Sequence, residues 1–301
     1  MQNHAHPNEH NNGSNHIGWV VLFNSAITVA EYIGGVISGS LALISDAGHN
    51  FSDVLSLALS YSGEVLSRKK PTKLHSFGLK RAEVAVAVIN AVSLCSLGVI
   101  IIAEAIRRFG HQQEISLKVM LPVAIIGLAG NFLSVLVLRS TKDRNLNIQS
   151  AYLHLFYDAL SSVFVIVASI TIAFTHWFVI DLIASLVIAC LMIWSGVKVL
   201  WEALHIFMQG VPKDIDFDAV LNAIASVNGV ESVHDLHIWS IDSKEAFLSC
   251  HACVPKDSSS ADINELVRKI NVILEERFNI THSAIQFEHS GMCEPGAVCC
   301  N

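Results

Sequence analysis

The chain has 301 residues, of which 52% are hydrophobic and only 15% are charged, and its mean hydropathy is +0.50; a soluble domain is typically about one-quarter charged. Residues 212–301 carry 14 acidic and 6 basic side chains, so the net charge of −7 originates in this C-terminal part. An acidic part of this kind lacks the basic face that phosphate binding needs, which argues against nucleic acid as a partner and suits a domain that collects cations.

Six stretches of the chain are apolar and long enough to cross a bilayer as helices, which takes about 20 residues. They are Ile17–Ser38, Leu41–Leu66, Ala82–Ile106, Leu117–Leu138, Ala151–Phe174 and Trp177–Leu200. We therefore predict a six-helix transmembrane domain over residues 17–208. It follows a cytosolic, His-bearing N-terminal tail of residues 1–16, which lacks the basic and apolar regions of a signal peptide.

The basic residues of the loops predict the orientation of these helices, because Lys and Arg accumulate on the cytoplasmic side. They cluster between the second and third stretches and between the fourth and fifth, although Arg107, Arg108 and Lys118 run against the trend. Both termini are therefore expected in the cytosol. The short loops favour a bacterial inner (cell) membrane, with a vacuolar or vesicular membrane as the alternative.

The C-terminal part has the patterns of a small α/β domain with the order αββαβ, over residues 209–290. Its predicted elements are a helix at Ile215–Ser226, strands at Val230–Ile241 and Ala246–Val254, a helix at Asp262–Phe278 and a strand at His282–His289. The fold class is thus an α-helical membrane protein with six transmembrane helices plus a small cytosolic α/β C-terminal domain. A Cys-bearing tail, residues 291–301, follows it.

Two of the predicted spans carry the same pair of ionisable residues at the same spacing. His49 precedes Asp53 by four residues, and His154 precedes Asp158 by four, which puts each pair on one helix face. Two imidazoles and two carboxylates make a full tetrahedral shell for Zn²⁺. Ionisable residues in a span can also be polar contacts inside the bundle, which is our interpretation of Glu31, Glu104 and Asp181. The repetition of a costly pair favours a metal site.

These motifs resemble those of the cation diffusion facilitator family, of the cobalt-zinc-cadmium efflux type. The resemblance covers about residues 17–290 and includes the HSFGLKRAE loop at His75–Glu83 and the VHDLHIW strand at Val233–Trp239. It implies a homodimeric antiporter of metal ions and protons that exports Zn²⁺ from the cytosol, with a metallochaperone-like tail domain. By matching motifs, the transport site would be the two His–Asp pairs, and the imidazole at position 49 would favour Zn²⁺, with Co²⁺ or Cd²⁺ as secondary substrates.

The resemblance also implies a zinc site in the cytosolic domain, where the ion would be a structural or regulatory ligand. In relatives, the positions of His234, His251 and Glu288 line such a site, and His282 matches a further ligand position. The alternative is that all four are surface residues of strands.

Alternation of side chains along a strand bears on the neighbouring residues. His237 is expected on the opposite face from His234, as a structural residue. Cys250 and Cys253 have the C-x-x-C spacing but are also expected on opposite faces, so they are not predicted to chelate one metal together.

The two tails contain further metal-binding side chains. Some relatives close a cytosolic zinc site, often across the dimer, with an N-terminal His-bearing segment and C-terminal cysteines. The corresponding residues here are His4, His6, Cys293, Cys299 and Cys300. The alternative is a disordered tail with adventitious metal affinity.

Three other functions compete with a transporter. An intramembrane metalloenzyme would keep a coordination position open and add a general base, whereas four ligands with no obvious fifth group favour binding. A metal sensor would explain the tail domain but not the ligand pairs in the spans. A channel is disfavoured because a full tetrahedral site binds too tightly for fast conduction.

Protons compete with metal for imidazole, which predicts coupling of metal export to proton entry.

Overall fold

The structure, a computed structural model, describes residues 11–110, 114–139 and 146–290, and their side chains except those of 11–21, 57 and 134–157. The described residues form two compact units. The first comprises those up to 59 and those of 89–199, and the second comprises those of 60–88 and those from 200 onwards.

Six long helices lie at the positions of the six predicted stretches. They are α1 (Asn11–Ser38), α2 (Leu41–Ser67), α3 (Ala82–Phe109), α4 (Leu117–Arg139), α5 (Leu146–Thr175) and α6 (Val179–Phe207). Among the described residues, three helical segments have the length and hydropathy to cross a membrane, namely Ala82–Phe109, Asp158–Thr175 and Val179–Phe207, and two shorter apolar segments are Leu22–Ser38 and Leu117–Leu133. A membrane domain of apolar helices is confirmed, and the count of six spans stays a prediction.

The buried core of the first unit lies between helices α2 to α6. Its largest fully buried apolar side chains include Leu43, Met120, Val165, Ile188 and Met192. The helices carry more apolar side chains than this core buries, so other apolar side chains face outward. Side chains such as Ile37 and Trp194, with 65% and 69% of their surfaces exposed, are suited to lipid contact.

The start of α2 is held by a carboxylate on α6. Asp181 is 1% exposed, and its oxygens accept hydrogen bonds from Ser40 Oγ at 2.6 Å and from the Leu41 amide at 2.7 Å. The Ala42 amide also donates to Asp181, at 3.3 Å from its Oδ1. The first amides of a helix have no partner within the helix itself, so Asp181 supplies an acceptor at the end where a negative charge is favoured. The interpretation of Asp181 as a polar contact inside the bundle is confirmed.

The C-terminal part confirms the predicted αββαβ order. It consists of α7 (Phe217–Ala225), β1 (Ser232–Ser240), β2 (Ala246–Val254), α8 (Ser260–Phe278) and β3 (Ile280–His289). The sheet has the order β1-β2-β3, with β1 antiparallel and β3 parallel to β2. One face of the sheet packs on the helices through a core that includes Ile224, Leu248, Ile270 and Leu274. The other face, here called the open face, carries the histidines.

A β-bulge in β1 overturns the prediction that His237 lies on the opposite face from His234. His234 pairs with His251 and His237 pairs with Ser249, so two residues of β1 between these pairs oppose one residue of β2. The extra residue shifts the alternation by one position. Paired residues project to the same face, so His234 and His237 both lie on the open face. The bulge includes Asp235 in the left-handed region, at φ 52, a conformation that Asp tolerates better than most residues.

The segment between α2 and α3 belongs to the second unit and contacts the β1–β2 hairpin. The Phe77 ring meets the Phe247 ring edge-on at a centroid distance of 5.5 Å. Lys80 forms an ion pair with Glu245, and Ser243 Oγ donates to Glu83 at 2.6 Å. An apolar contact and two polar contacts therefore join this segment and the start of α3 to the hairpin.

Candidate metal centres

The first candidate centre lies between α2 and α5. His49 Nδ1 is 3.7 Å from Asp53 Oδ2, one turn along the same helix, and His49 Nε2 is 3.5 Å from Asp158 Oδ1 on α5. One ligand atom from each of the three residues lies within 4.8 Å of the other two. Ligand atoms around a tetrahedral zinc with bonds of about 2.1 Å are about 3.4 Å apart. The spacing and the nitrogen and oxygen donors therefore fit a zinc ion.

The fourth predicted ligand of this centre is His154. It lies on α5, one helical turn before Asp158, but its side chain is outside the described residues. The backbone position is the one that the i, i+4 spacing requires. The participation of His154 in the site stays a prediction.

A set of hydrogen bonds between α2 and α5 supports the centre. Asp46, three residues before His49, accepts from Ser161 Oγ at 2.6 Å and from Ser162 Oγ at 3.0 Å. Ser161 Oγ lies 2.8 Å from the carbonyl oxygen of Asp158. Because Asp46 is 1% exposed and Ser162 is fully buried, these contacts lie in a region of low dielectric, where they are strong. They hold the helix bearing Asp158 against the helix bearing His49.

Sequence reasoning did not single out Asp46 or the two serines. Asp46, His49 and Asp53 are spaced i, i+3 and i+7, so they share one face of α2. That spacing is a signal for a third functional side chain in the motif. The partners of Asp46 could not be found in the same way, because they lie more than a hundred residues away along the chain.

The second candidate centre lies on the open face of the cytosolic sheet, within the second unit. One ligand atom each from His234, Cys253 and Glu288 lies within 4.8 Å of the others. His234 Nε2 is 3.5 Å from Glu288 Oε2, and its Nδ1 is 3.9 Å from Cys253 Sγ. Imidazole, thiolate and carboxylate are all zinc ligands, so the structure brings together two of the predicted residues and one new one.

His251 lies beside this cluster, where it contacts Glu288 and lies close to His234 and Asp235. Its Nδ1 is 2.9 Å from Glu288 Oε1, and its ring meets that of His234 at a centroid distance of 5.2 Å. Its Nε2 is 3.8 Å from Asp235 Oδ2, and Asp235 Oδ1 is 3.2 Å from His237 Nε2. His251 can therefore orient Glu288 through one nitrogen and keep the other for a metal, a common arrangement around metal ligands.

Cys253 is the ligand candidate of this second centre that sequence reasoning missed. The expectation that Cys250 and Cys253 lie on opposite faces is confirmed, since Cys250 belongs to the helix-side core and burial raises the pKa of its thiol to about 12. Cys253 lies two residues after His251 and therefore on the same face, which is the signal that could have identified it. Cys253 is disulfide-bonded in the structure, so it must be reduced before its thiolate can bind metal.

The remaining predicted ligands are not brought into this cluster or lie outside the described residues. The imidazole of His282 stacks on Phe247 at 4.9 Å, with the two rings 4° from parallel, and its position on β3 is six residues before Glu288. The tail candidates outside the described residues are His4, His6, Cys293, Cys299 and Cys300.

Two family models match the chain and together cover most of it. The model described as the cation efflux transmembrane domain matches residues 19–208, and the model described as the cytoplasmic domain of cation efflux proteins matches residues 212–290. The first match contains the α2–α5 centre, and the second contains the open face of the sheet.

Proteins of similar sequence are known from several bacteria. A cadmium, cobalt and zinc/H(+)-K(+) antiporter of Bacillus velezensis is 39% identical over 300 residues, which cover 98% of this chain and 96% of that protein. The metal cation efflux system protein CzcD of Cupriavidus metallidurans is 34% identical over 94% of this chain and 90% of its own length. A solved structure of the metal-bound C-terminal domain of the CzcD transporter is 35% identical, covers 25% of this chain and 99% of that chain, and has a TM-score of 0.23.

Proposed function

This chain belongs to the cation efflux family, the cation diffusion facilitators, and we propose that it is a secondary transporter that exports Zn²⁺ from the cytosol in exchange for protons. Family membership supports metal cation efflux and argues against a catalytic enzyme. The observation that carries the finer proposal is the approach of His49 on α2 to Asp158 on α5, with Asp53 one turn away. Transport would pass through these three residues and His154.

The donor set supports the choice of Zn²⁺ as substrate. Imidazole nitrogens favour zinc, cobalt, nickel and copper, whereas manganese prefers oxygen ligands. Relatives from Bacillus velezensis and Pectobacterium atrosepticum are named a cadmium, cobalt and zinc antiporter and a zinc transporter. We therefore assign Zn²⁺ as the main substrate, with Co²⁺ and Cd²⁺ as secondary substrates of the same site.

Proton coupling follows from the chemistry of the same ligands. An imidazole must be neutral, and a carboxylate ionised, before either can bind a metal ion. When the site opens to the more acidic side of the membrane, protons compete with zinc for His49 and for the carboxylates. Zinc is then released outward, and the protonated site returns to the cytosolic side.

The cytosolic centre has a different proposed role, as a structural or regulatory zinc site in a homodimer. The C-terminal part of each chain carries 14 acidic and 6 basic residues, so two copies repel each other. Zinc bound at His234, Cys253 and Glu288 would offset this repulsion and favour association of the two domains. The protein would reside in a bacterial cell membrane with both termini in the cytosol.

A zinc-sensitive bacterial strain that lacks its own zinc exporters tests the function. Expression of the chain should restore growth in zinc and lower the zinc content of the cells. Asp158→Asn should abolish both effects, because it removes a ligand charge while the residue keeps its size. Asp257→Asn, which changes an exposed carboxylate of the cytosolic domain, is the matched control and should behave as the parent chain. Equal zinc content in cells with the parent chain and with Asp158→Asn would refute the proposed site.

A further inference from the structure

Glu31 is a buried carboxylic acid of α1 that neither candidate centre uses. Only 1% of its surface is exposed, and it lies in an apolar helix of the membrane domain. An ionised carboxylate in such a place is costly unless hydrogen-bond donors or a cation stabilise it. The surroundings of Glu31 therefore decide which form, ionised or protonated, the structure accommodates.

Those surroundings supply one donor to one of the two oxygens. Asn50 Nδ2, on α2, donates to Glu31 Oε2 at 2.8 Å. Glu31 Oε1 is buried and has no hydrogen-bond partner among the described residues. It lies against α4 at Gly127, where an added Cβ would come within 1.9 Å of it. The absence of a side chain at Gly127 thus leaves just enough room for this oxygen.

Among the side chains that the structure describes, the charged groups that act on Glu31 are both acidic. They are Asp46 on α2 and Asp158 on α5. Two other buried carboxylates accept several hydrogen bonds. Asp46 accepts from two serine hydroxyls, and Asp181 accepts from a hydroxyl and two backbone amides. Glu31 differs from both, since the described residues offer it a single hydrogen-bond donor and only negatively charged neighbours. In the absence of metal, this environment favours its protonated form.

A metal ion at the α2–α5 centre would reverse that preference. Asn50 is the residue next to His49 and lies three residues before Asp53, so Glu31 is connected to the centre by one side chain of the same helix. A divalent cation there offsets the negative charge of Asp158 and favours loss of a proton from Glu31. By linkage, protonation of Glu31 then weakens metal binding by the same factor.

From these contacts we propose that Glu31 is a proton-carrying residue of the transport cycle, separate from the metal ligands. It gives up its proton to the cytosol when zinc enters the centre, and it takes up a proton from the other side when zinc has left. Each zinc exported is thereby exchanged for one proton through Glu31, besides any protons carried by the ligands. This inference rests on the proposed function, because it names a further residue of that exchange.

Proton release on zinc binding tests the proposal directly. The full chain in detergent is titrated with ZnCl₂ in buffers of different ionisation enthalpy, and the number of protons released per zinc is obtained from the difference in heat. Glu31→Gln keeps the shape and the hydrogen bond from Asn50 but cannot release a proton. It should bind zinc and release about one proton fewer per zinc than the parent chain. Glu31→Asp keeps the carboxyl group and should retain the release.

Glu202→Gln is the matched control, because Glu202 is an exposed carboxylate near the end of α6 that pairs with Lys213. It should release as many protons as the parent chain. Equal release from Glu31→Gln and the parent chain would overturn the proposal. Loss of zinc binding in both Glu31→Gln and Glu31→Asp would also overturn it, because Glu31 would then serve the metal site or the fold.

The outcome can be separated from that of the proposed function. Zinc flux driven by a pH gradient is measured in parallel with the parent chain in liposomes. If the parent chain shows no such flux, the proposed antiport fails. If it shows flux and Glu31→Gln shows the same coupled flux, only the role of Glu31 fails.

Discussion

His49 and Asp158 face each other from two helices, with Nε2 of the imidazole 3.5 Å from Oδ1 of the carboxylate. The two residues are more than a hundred positions apart in the chain, and each has a low exposed fraction. Ionisable side chains within apolar membrane helices are costly and commonly pair with one another at functional sites. The packing of α2 against α5 therefore brings together two of the side chains that form the candidate metal centre.

The serines of α5 are expected to support zinc binding through Asp46. Replacing Ser161 and Ser162 together with Ala removes both hydroxyl donors to this buried carboxylate. Loss of such outer partners typically lowers metal affinity about 10- to 100-fold. Zinc affinity of the purified double variant, measured by calorimetry, checks this expectation.

Ser169→Ala is the control for that experiment. Ser169 is also fully buried on α5, but its hydroxyl donates to Val165 of the same helix. Its replacement should leave zinc affinity unchanged. A similar loss of affinity in Ser169→Ala and in the double variant would indicate a general effect on packing.

The open face of the sheet is expected to bind zinc through Cys253 and Glu288. Cys253→Ser and Glu288→Gln should each lower the zinc content of the reduced full chain by about one ion per protomer, since a three-ligand cluster loses one donor. His282→Ala should leave the zinc content unchanged, because that imidazole stacks on Phe247. Metal analysis after gel filtration measures all three. A loss in His282→Ala alone would contradict this placement of the centre.

Cys250 is expected to remain protonated and unreactive in the folded domain. Burial raises the pKa of its thiol from 9.0 to about 12. At a pH between 9.0 and about 12, this thiol loses its proton in the unfolded chain and keeps it in the folded domain. The contribution of Cys250 to the stability of the folded domain is therefore fully present below pH 9.0 and declines as the pH rises towards 12. Iodoacetamide should label Cys250 in denaturant but not in the folded protein at about pH 9. Rapid labelling of the folded protein, read by mass spectrometry of the peptide, would contradict the burial.

Asp181 is expected to stabilise the membrane domain without binding metal. Asp181→Ala leaves the amides of Leu41 and Ala42 without the acceptor that they have in the structure. A buried unsatisfied donor costs about 1–3 kcal/mol of folding stability. The midpoint temperature of thermal unfolding in detergent should therefore fall. Asp218→Ala, in the exposed first turn of α7, is the control and should change it little. An unchanged transition in Asp181→Ala would show that the amides find other partners.

The elements that depend on local periodicity could be predicted from the sequence. The helices and strands occur where apolar patterns indicate them, and the i, i+4 spacing of His49 and Asp53 holds on α2. The approach of α5 to α2 could be predicted from chemistry, because an ionisable residue such as Asp158 in an apolar helix needs a partner.

The features that depend on register or on distant contacts could not be predicted. The bulge at Asp235 changes the face of His237, and nothing in the alternation of β1 itself marks the extra residue. The contacts of Asp46 with Ser161 and of Glu31 with Asn50 join different helices. Such contacts follow from the packing of the folded chain, which periodicity alone does not contain.

The most direct test of the central claim is zinc uptake into liposomes that contain the purified chain and a zinc-sensitive dye, with an imposed pH gradient, acidic inside. The account predicts that zinc enters in exchange for protons, that uptake stops when an ionophore collapses the gradient, and that His49→Ala and Asp158→Asn abolish it. Zinc uptake that is independent of the gradient, or that survives both substitutions, would contradict proton-coupled transport through this centre.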